Sequence, residues 1–323
     1  MMPMLRADLH VHTCHSSVTG RMRFLGSRDC YSAPADVYRV AKARGMDLVA
    51  ITDHDSIDGA LELVELLEAR SDAQDVIVGE EVSCRLQDGD IEVHLGVYGM
   101  TESLHRELQP LRPNVFDVTA RLREADVFFS LNHLLHFYRR QIPLSLYLRL
   151  LDEVPSIEAR NGAMGAAHNG FVEQLALRGS PRHEVPRLAM VAGSDAHTLR
   201  RVGLTWTSAP GRTREEFLAS LKQGLGRPGG RHGTTAAVAG DVYGVIASYL
   251  GSLVGARPPD HRSWRRAGCL AFAVAALPFQ FLPIVIAAEG KRHEQREVDH
   301  ACAYFAAPVE SRTREAAPLE PNA

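Results

Sequence analysis

Short apolar runs alternate with helical patterns from the amino terminus to about residue 225, and this alternation constrains the fold more than any other feature of the chain. "LRADLHVH" predicts a strand. "SAPADVYRVAKARG" predicts a helix, with Ser32 as its cap, Pro34 in the first turn and Gly45 as its stop signal. "MDLVAIT" predicts a buried strand. "DSIDGALELVELLEA" predicts a helix capped by Asp55 or Ser56, with Leu61, Val64 and Leu67 on its apolar stripe. "DVIVGEEVSC" and "IEVHLGVYG" predict two strands, and the Asp-Gly between them signals an antiparallel hairpin. A helical stretch over 101–124, broken near Pro113, follows. The strand "VFFSLNH", a helix over 143–151, the strand "PSIEARNG", a helix over 168–178, the strand "RLAMVAGSD" and the helix "TREEFLASLKQG" complete the series. Six or seven strand–helix repeats predict a parallel sheet, open or closed into a barrel.

The 323 residues suffice for one large α/β domain with an appendage. That domain is expected to occupy 1–225, followed by a Gly-rich linker at 226–237, a helical and apolar extension at 238–300 and a disordered tail at 301–323. Residues 267–288, "AGCLAFAVAALPFQFLPIVIAA", carry no charge, a length close to that needed to cross a bilayer core. Pro278, Gln280 and Pro283 interrupt the segment, and Arg265, Arg266, Lys291 and Arg292 flank both ends. It therefore reads either as a membrane contact or as short helices docked on the domain or on a second subunit.

A net charge of −3 gives no bias towards polyanions, which argues against long nucleic acid as a partner. Five scattered cysteines without a C-x-x-C pair suggest a reduced, cytoplasmic setting, and the first ten residues do not read as a signal peptide.

Two motifs far apart, "ADLHVHT" and "AGSDAHT", each set two metal-binding side chains two residues apart. Residues i and i+2 of a strand face the same side, so His10 projects with His12, and Asp195 with His197. Asp53, His54, Glu80 or Glu81, His94 and His133 are read with them as strand-end residues. In a parallel barrel such ends converge on one face. Imidazole mixed with carboxylate suits Zn, Mn or Fe, and so many ligands call for two or three divalent ions.

"DLHVHT", "ITDHDS", "GEEVS", "VHLGVYG", "LNH" and "GSDAHT", in this order, resemble the motif series of the PHP (polymerase and histidinol phosphatase) domain family over roughly residues 5–225. The resemblance implies a distorted (β/α)7 barrel, here with a C-terminal helical extension, and a trinuclear metal site that hydrolyses phosphate esters. It implies that His10 and His12, with Asp195, hold one ion, and that Glu81 bridges, selected over Glu80 by its spacing from Gly79. His94 and His133 complete the second ion; His54 and His197 hold the third. Ser17 and Val18 stand where family members commonly carry an acid or His, so His15 is a candidate for the third site.

The expected function is phosphomonoesterase or small-nucleotide phosphoesterase action on a small phosphorylated substrate by a metal-bridging hydroxide, with His10, His12, Glu81, Asp195 and His197 as the catalytic set. Asp53 is expected to fix an imidazole tautomer from behind the ligands, and Arg160 and Arg200 to contact phosphate. His105, His136, His168, His183 and His232 read as surface residues, and Cys14 as a small buried thiol near the site. Two alternatives stand beside this reading: an amidohydrolase-type C–N hydrolase, and a catalytically weak metal-binding regulatory module. The D-x-H pair, "TDHD" and the absence of a strand-end Lys favour phosphoester chemistry.

Overall fold

A computed structural model describes residues 2–16, 27–68, 72–86, 91–135, 144–178, 187–254 and 263–306. Its centre is a nine-stranded sheet in the order β7-β6-β5-β4-β3-β2-β1-β8-β9. The strands are β1 (Met4–Asp8), β2 (Leu48–Ile51), β3 (Val76–Arg85), β4 (Glu92–Tyr98), β5 (Phe128–Leu131), β6 (Ser156–Asn161), β7 (Ala189–Gly193), β8 (Thr205–Pro210) and β9 (Arg227–Gly230). β1, β2 and β3 run parallel, as do β5, β6 and β7. β4 lies antiparallel between β3 and β5, as the Asp-Gly signal predicted. Beyond the strand ends, Val11 forms a parallel bridge with Ala196, which brings the first and last motifs together and nearly closes the barrel.

The helices are α1 (Pro34–Ala43), α2 (Asp58–Glu68), α3 (Glu102–Leu108), α4 (Val115–Glu124), α5 (Leu144–Glu153), α6 (Ala166–Arg178), α7 (Arg214–Lys222), α8 (Thr235–Val254), α9 (Ser263–Ala275) and α10 (Leu282–Ala306). The break near Pro113 falls between α3 and α4, where Asn114 caps the second helix by accepting from the Phe116 N–H. Every residue of β2 and of β5 is buried, as strands covered on both faces must be. The largest apolar cluster joins Leu95, Leu122, Phe129, Leu150 and Ile157 and takes in Val298 and Ala301 of α10.

Two strands fall outside the sequence expectation. β8 alternates buried and half-buried residues over "TWTSAP", a period-2 pattern too short to stand out. β9, "RPGG", lies within the stretch read as a linker and pairs antiparallel with β8. Glycine is required there by packing: a Cβ at Gly229 would come within 2.6 Å of the Trp206 ring nitrogen. Trp206 itself stacks under the Arg6 guanidinium at 4.0 Å. The segment read as a disordered tail begins as helix, since α10 runs to Ala306; residues 307–323 lie outside the described residues.

Candidate metal centre

Each side chain of the cluster is delivered by the end of a strand or the turn after it. Asp8, the last residue of β1, is buried and accepts the backbone N–H groups of His10 (3.3 Å), Ser194 (2.8 Å) and Gly203 (2.6 Å). It thereby fixes the start of the H-x-H turn against the D-x-H turn. Burial, only partly offset by these hydrogen bonds, pushes its carboxyl up to about 6. A Cβ on Gly193 would lie 2.2 Å from that of His10, so glycine is what lets β7 approach so closely. His133 and Asp195 both have positive φ, 27° and 52°, a conformation that costs free energy and recurs at functional sites.

His94 reaches the cluster by a different route from the one expected. It lies near the start of β4, not at a strand end, and meets the others because β4 runs antiparallel to β3. Glu81 likewise sits within β3, and its backbone bridges to His54. Glu80, the neighbour that spacing rejected, points elsewhere: His105 Nδ1 stands 2.8 Å from its carboxylate. His105 is therefore half-buried and partnered, not a free surface residue.

Glu81 is the hub. Its Oε2 lies 3.1 Å from His10 Nε2, 3.4 Å from His12 Nε2 and 3.2 Å from His54 Nδ1. Its Oε1 lies 3.3 Å from His94 Nδ1, 3.0 Å from His133 Nε2 and 2.9 Å from Asn132 Nδ2. Asp195 Oδ1 lies 3.5 Å from His10 Nε2, 3.4 Å from His12 Nε2 and 3.7 Å from His197 Nδ1. Four sets of ligand atoms lie mutually within 4.8 Å: His12, His54 and His197; His10, His133 and Asp195; His10, His12 and Glu81; His54, Glu81 and His94. The expected partnership of His54 with His197 is among them, whereas His133 groups with His10 and Asp195 rather than with His94.

These atoms fit divalent cations. His10 Nε2, His12 Nε2, His54 Nδ1, Glu81 Oε2 and His94 Nδ1 are buried and make no hydrogen bond, although they crowd within van der Waals range of one another. An orphaned buried polar atom costs about 1–3 kcal/mol. Four imidazole nitrogens converging on one carboxylate are satisfied together by positive ions. The second nitrogen of His10 is held in the opposite direction, 2.9 Å from Glu158 Oε1. Glu158 Oε2 accepts from the His133 backbone N–H at 2.9 Å and from Asn161 Nδ2 at 2.8 Å. Such an outer carboxylate orients a ligand ring.

Electrostatics without cations divide the imidazoles. Burial works against charge on His10, but Glu81, Asp195 and Glu158 outweigh it and raise its pKa well above the usual value. Burial likewise opposes charge on His94, and Glu81 and Glu92 outweigh it, taking the pKa to about 10. For His12, burial and the neighbouring His197 lower the pKa to about 4. Burial also carries His54 well below its usual value. Burial would raise Glu81 and Asp195, yet the imidazoles around them hold both well below the carboxylate range.

Several expectations need correction. The Asp53 carboxylate is directed to Thr13 rather than to a ligand ring: its oxygens accept the Thr13 backbone N–H at 2.5 Å and the Thr13 hydroxyl at 2.6 Å, anchoring the turn that follows His12. His15 Nε2 stands 2.6 Å from Glu62 Oε2 and belongs to none of the ligand sets. Arg160 is spent on Glu173, at 2.8 and 2.6 Å, and on the Gly230 carbonyl, so its fork is an internal tie. His168 is fully buried, its ring between the Leu134 carbonyl and Asn169. His232 is also partnered, Nδ1 lying 3.0 Å from Asn169 Nδ2. Cys14 is half-buried and outside the ligand sets. Ser17, Val18, His136 and His183 lie outside the described residues.

A cleft of about 320 Å³ opens beside the cluster, lined by Tyr31, Ser32, His197, Arg200, Gly244 and Ser248. Arg200, an exposed residue, lines this cleft together with His197. The far wall is α8, an element given no role at the site by sequence. α8 is strapped down by Asp241, which takes a hydrogen bond from Thr198 and lies 3.3 Å from Arg201 Nε.

Comparison with known proteins agrees with this architecture. A family model described as PHP-associated matches residues 186–225. A 106-residue stretch is 32% identical to an uncharacterised protein of Methanocaldococcus jannaschii; the match takes in 33% of the chain and spans 57% of that relative's length. A two-domain protein of Bacteroides vulgatus, described as containing a predicted PHP-like metal-dependent phosphoesterase, superposes with a TM-score of 0.50 at 17% identity, over 76% of this chain and 70% of that one. PsfC from Pseudomonas syringae gives a TM-score of 0.50 at 19% identity, over 76% and 99%.

Proposed function

We propose that this chain is a PHP-type metal-dependent hydrolase that cleaves a small phosphate ester, a reading supported by the PHP-associated match and the PHP-like fold. The observation that carries the reading is the set of buried, unbonded imidazole and carboxylate atoms around Glu81. His10, His12, His54, Glu81, His94, His133, Asp195 and His197 would hold two or three cations, with Zn, Mn and Fe suited to this donor mixture. Bound cations of this kind supply Lewis acidity, lower the pKa of water to about 7 and offset charge on a phosphoryl group.

The chain's own residues do the rest. Glu158 holds the His10 ring and the His133 backbone in place, and Asn132 steadies the carboxylate of Glu81. Asp53 and Thr13 fix the turn that carries His12. His197, 27% exposed, forms the edge of the cluster that meets the cleft. Arg200 on the cleft wall offers a positive fork to the non-bridging phosphate oxygens. In the net reaction a bond forms between a water oxygen and phosphorus, the ester P–O bond breaks, and a proton passes to the departing alkoxide. Ser16 Oγ, 3.3 Å from His12 Nδ1 and accepting the His54 backbone N–H at 3.0 Å, holds these two ligands in place.

The test is a panel of phosphate esters, with an amide beside them, assayed with Mn, Zn and Fe. Release of phosphate from at least one ester supports the reading. Turnover of the amide alone would contradict it.

A further inference from the structure

We propose that α8, α9 and the first half of α10 form a face that lies flat in the interface of an anionic lipid bilayer. Large exposed apolar side chains among the described residues are concentrated here, nine of them between Phe272 and Ile286. Phe272, Leu277, Phe279, Phe281, Ile284 and Ile286 are each exposed, by 46–65%. Cys269, Pro283 and Ala287 are the buried residues of this stretch, and Leu270 packs beside Cys269 against Tyr249 and Leu253. α8 adds Val242, Tyr243 and Ile246, and its Tyr243 hydroxyl donates to the Gln280 carbonyl at 2.5 Å, so the helices form one layer. A patch of this kind marks a contact surface.

The chemistry of the patch selects lipid over protein. Protein interfaces make about one hydrogen bond per 100–200 Å². Residues 267–288 carry no charge and, apart from the Cys269 thiol, one polar side chain, Gln280, so they offer a protein partner almost nothing to pair with. Hydrocarbon needs no such groups. In the sequence Arg265 and Arg266 precede the stretch and Lys291 and Arg292 follow it; Lys291 is turned to the barrel and paired with Glu294 at 2.5 Å, which leaves Arg266 and Arg292 as the cations at its edges. Arg292 is 72% exposed, and among the described residues it pairs with Glu289 at 3.4 Å. Apolar surface edged by cations matches acyl chains edged by anionic headgroups.

The layer lies on the membrane rather than through it because both of its ends are fastened to the barrel. Asp241 ties α8 to Thr198 and Arg201. Lys291 donates to the Ala163 carbonyl at 2.6 Å, and Glu294 accepts the Gly165 N–H at 2.7 Å. Val298 and Ala301 are part of the barrel core. The apolar stretch is also bent by 54° between its two helical parts. Because Gly244 and Ser248 of α8 wall the cleft, the docking face and the metal centre share one helix.

Flotation of the full chain with vesicles of phosphatidylcholine, with and without phosphatidylglycerol, tests the proposal. The protein should rise with the anionic vesicles, less so at high salt. The triple variant F279E/F281E/I284E should reduce the floated fraction at least tenfold while leaving metal content and melting temperature unchanged. Wild-type protein that stays behind with both vesicle types overturns the proposal. That holds whether the protein is monomeric or forms a dimer that the triple variant dissolves, the result expected of a subunit interface.

Discussion

The barrel rim and the C-terminal layer break the usual rule of burial in opposite senses. The rim buries charged and polar atoms that have no hydrogen-bond partner among the described residues; the layer exposes Phe, Leu and Ile side chains. Folding alone rewards neither arrangement. On the readings proposed above, each is completed by a complementary phase, cations in one case and acyl chains in the other. The two regions also differ in construction. The rim is built from turns pinned by Asp8, Asp53 and Glu158, whereas the layer is fastened at its ends and uncovered between them.

The contrast is broken most severely by removing ligands. The double change H10A/H12A should abolish metal loading and bring phosphoesterase activity to background while the fold persists, read by elemental analysis, turnover and circular dichroism. Retained activity would place the chemistry elsewhere. Truncating a covered aromatic comes next: Phe129→Ala, at a side chain 1% exposed, should cost about 3–5 kcal/mol in denaturant melts.

Stripping metal with a chelator should lower stability by about 2.7 kcal/mol relative to protein held at a hundredfold excess over Kd. The raised pKa values of His10 and His94 mean that both carry a proton near neutral pH when no cation is present. Cations must displace those protons, so binding should release protons to buffer and tighten as pH rises. Calorimetry in buffers of different ionisation enthalpy reads the count; affinity independent of pH would refute this electrostatic picture.

Glu158→Gln, which keeps shape but loses charge behind His10, should weaken metal affinity or activity by about 10–100-fold. An unchanged affinity would make Glu158 a packing residue. The smallest effect belongs to the layer: Phe279→Ser, at a side chain 56% exposed, should move stability by no more than about 0.5 kcal/mol. A loss like that of Phe129→Ala would mean the layer is packed against something in solution.

What the sequence made legible follows from local periodicity. The i, i+2 rule was enough to pair His10 with His12 and Asp195 with His197, and strand–helix alternation was enough to foresee a largely parallel sheet, whose closure into a barrel came from the motif resemblance. The role of Glu158 was not legible because its partner, His10, is 148 positions away, and no local pattern encodes that contact. Asp8 escaped notice for the same reason, since it bonds Ser194 and Gly203 across the barrel closure. Arg160 looked available because its claimants, Glu173 and the Gly230 carbonyl, lie on α6 and on an unforeseen strand. β9 itself was hidden by glycines that read as a linker but serve to admit Trp206. His168 passed as a surface residue because "AAHNG" has no apolar stripe to show that its imidazole faces inward.

Elemental analysis of the native chain, purified without chelators or affinity-tag metals, tests the central claim most directly. The account predicts more than one equivalent of Zn, Mn or Fe per chain, falling to background in H10A/H12A. A chain that emerges metal-free, refuses added cations and still hydrolyses phosphate esters would contradict it.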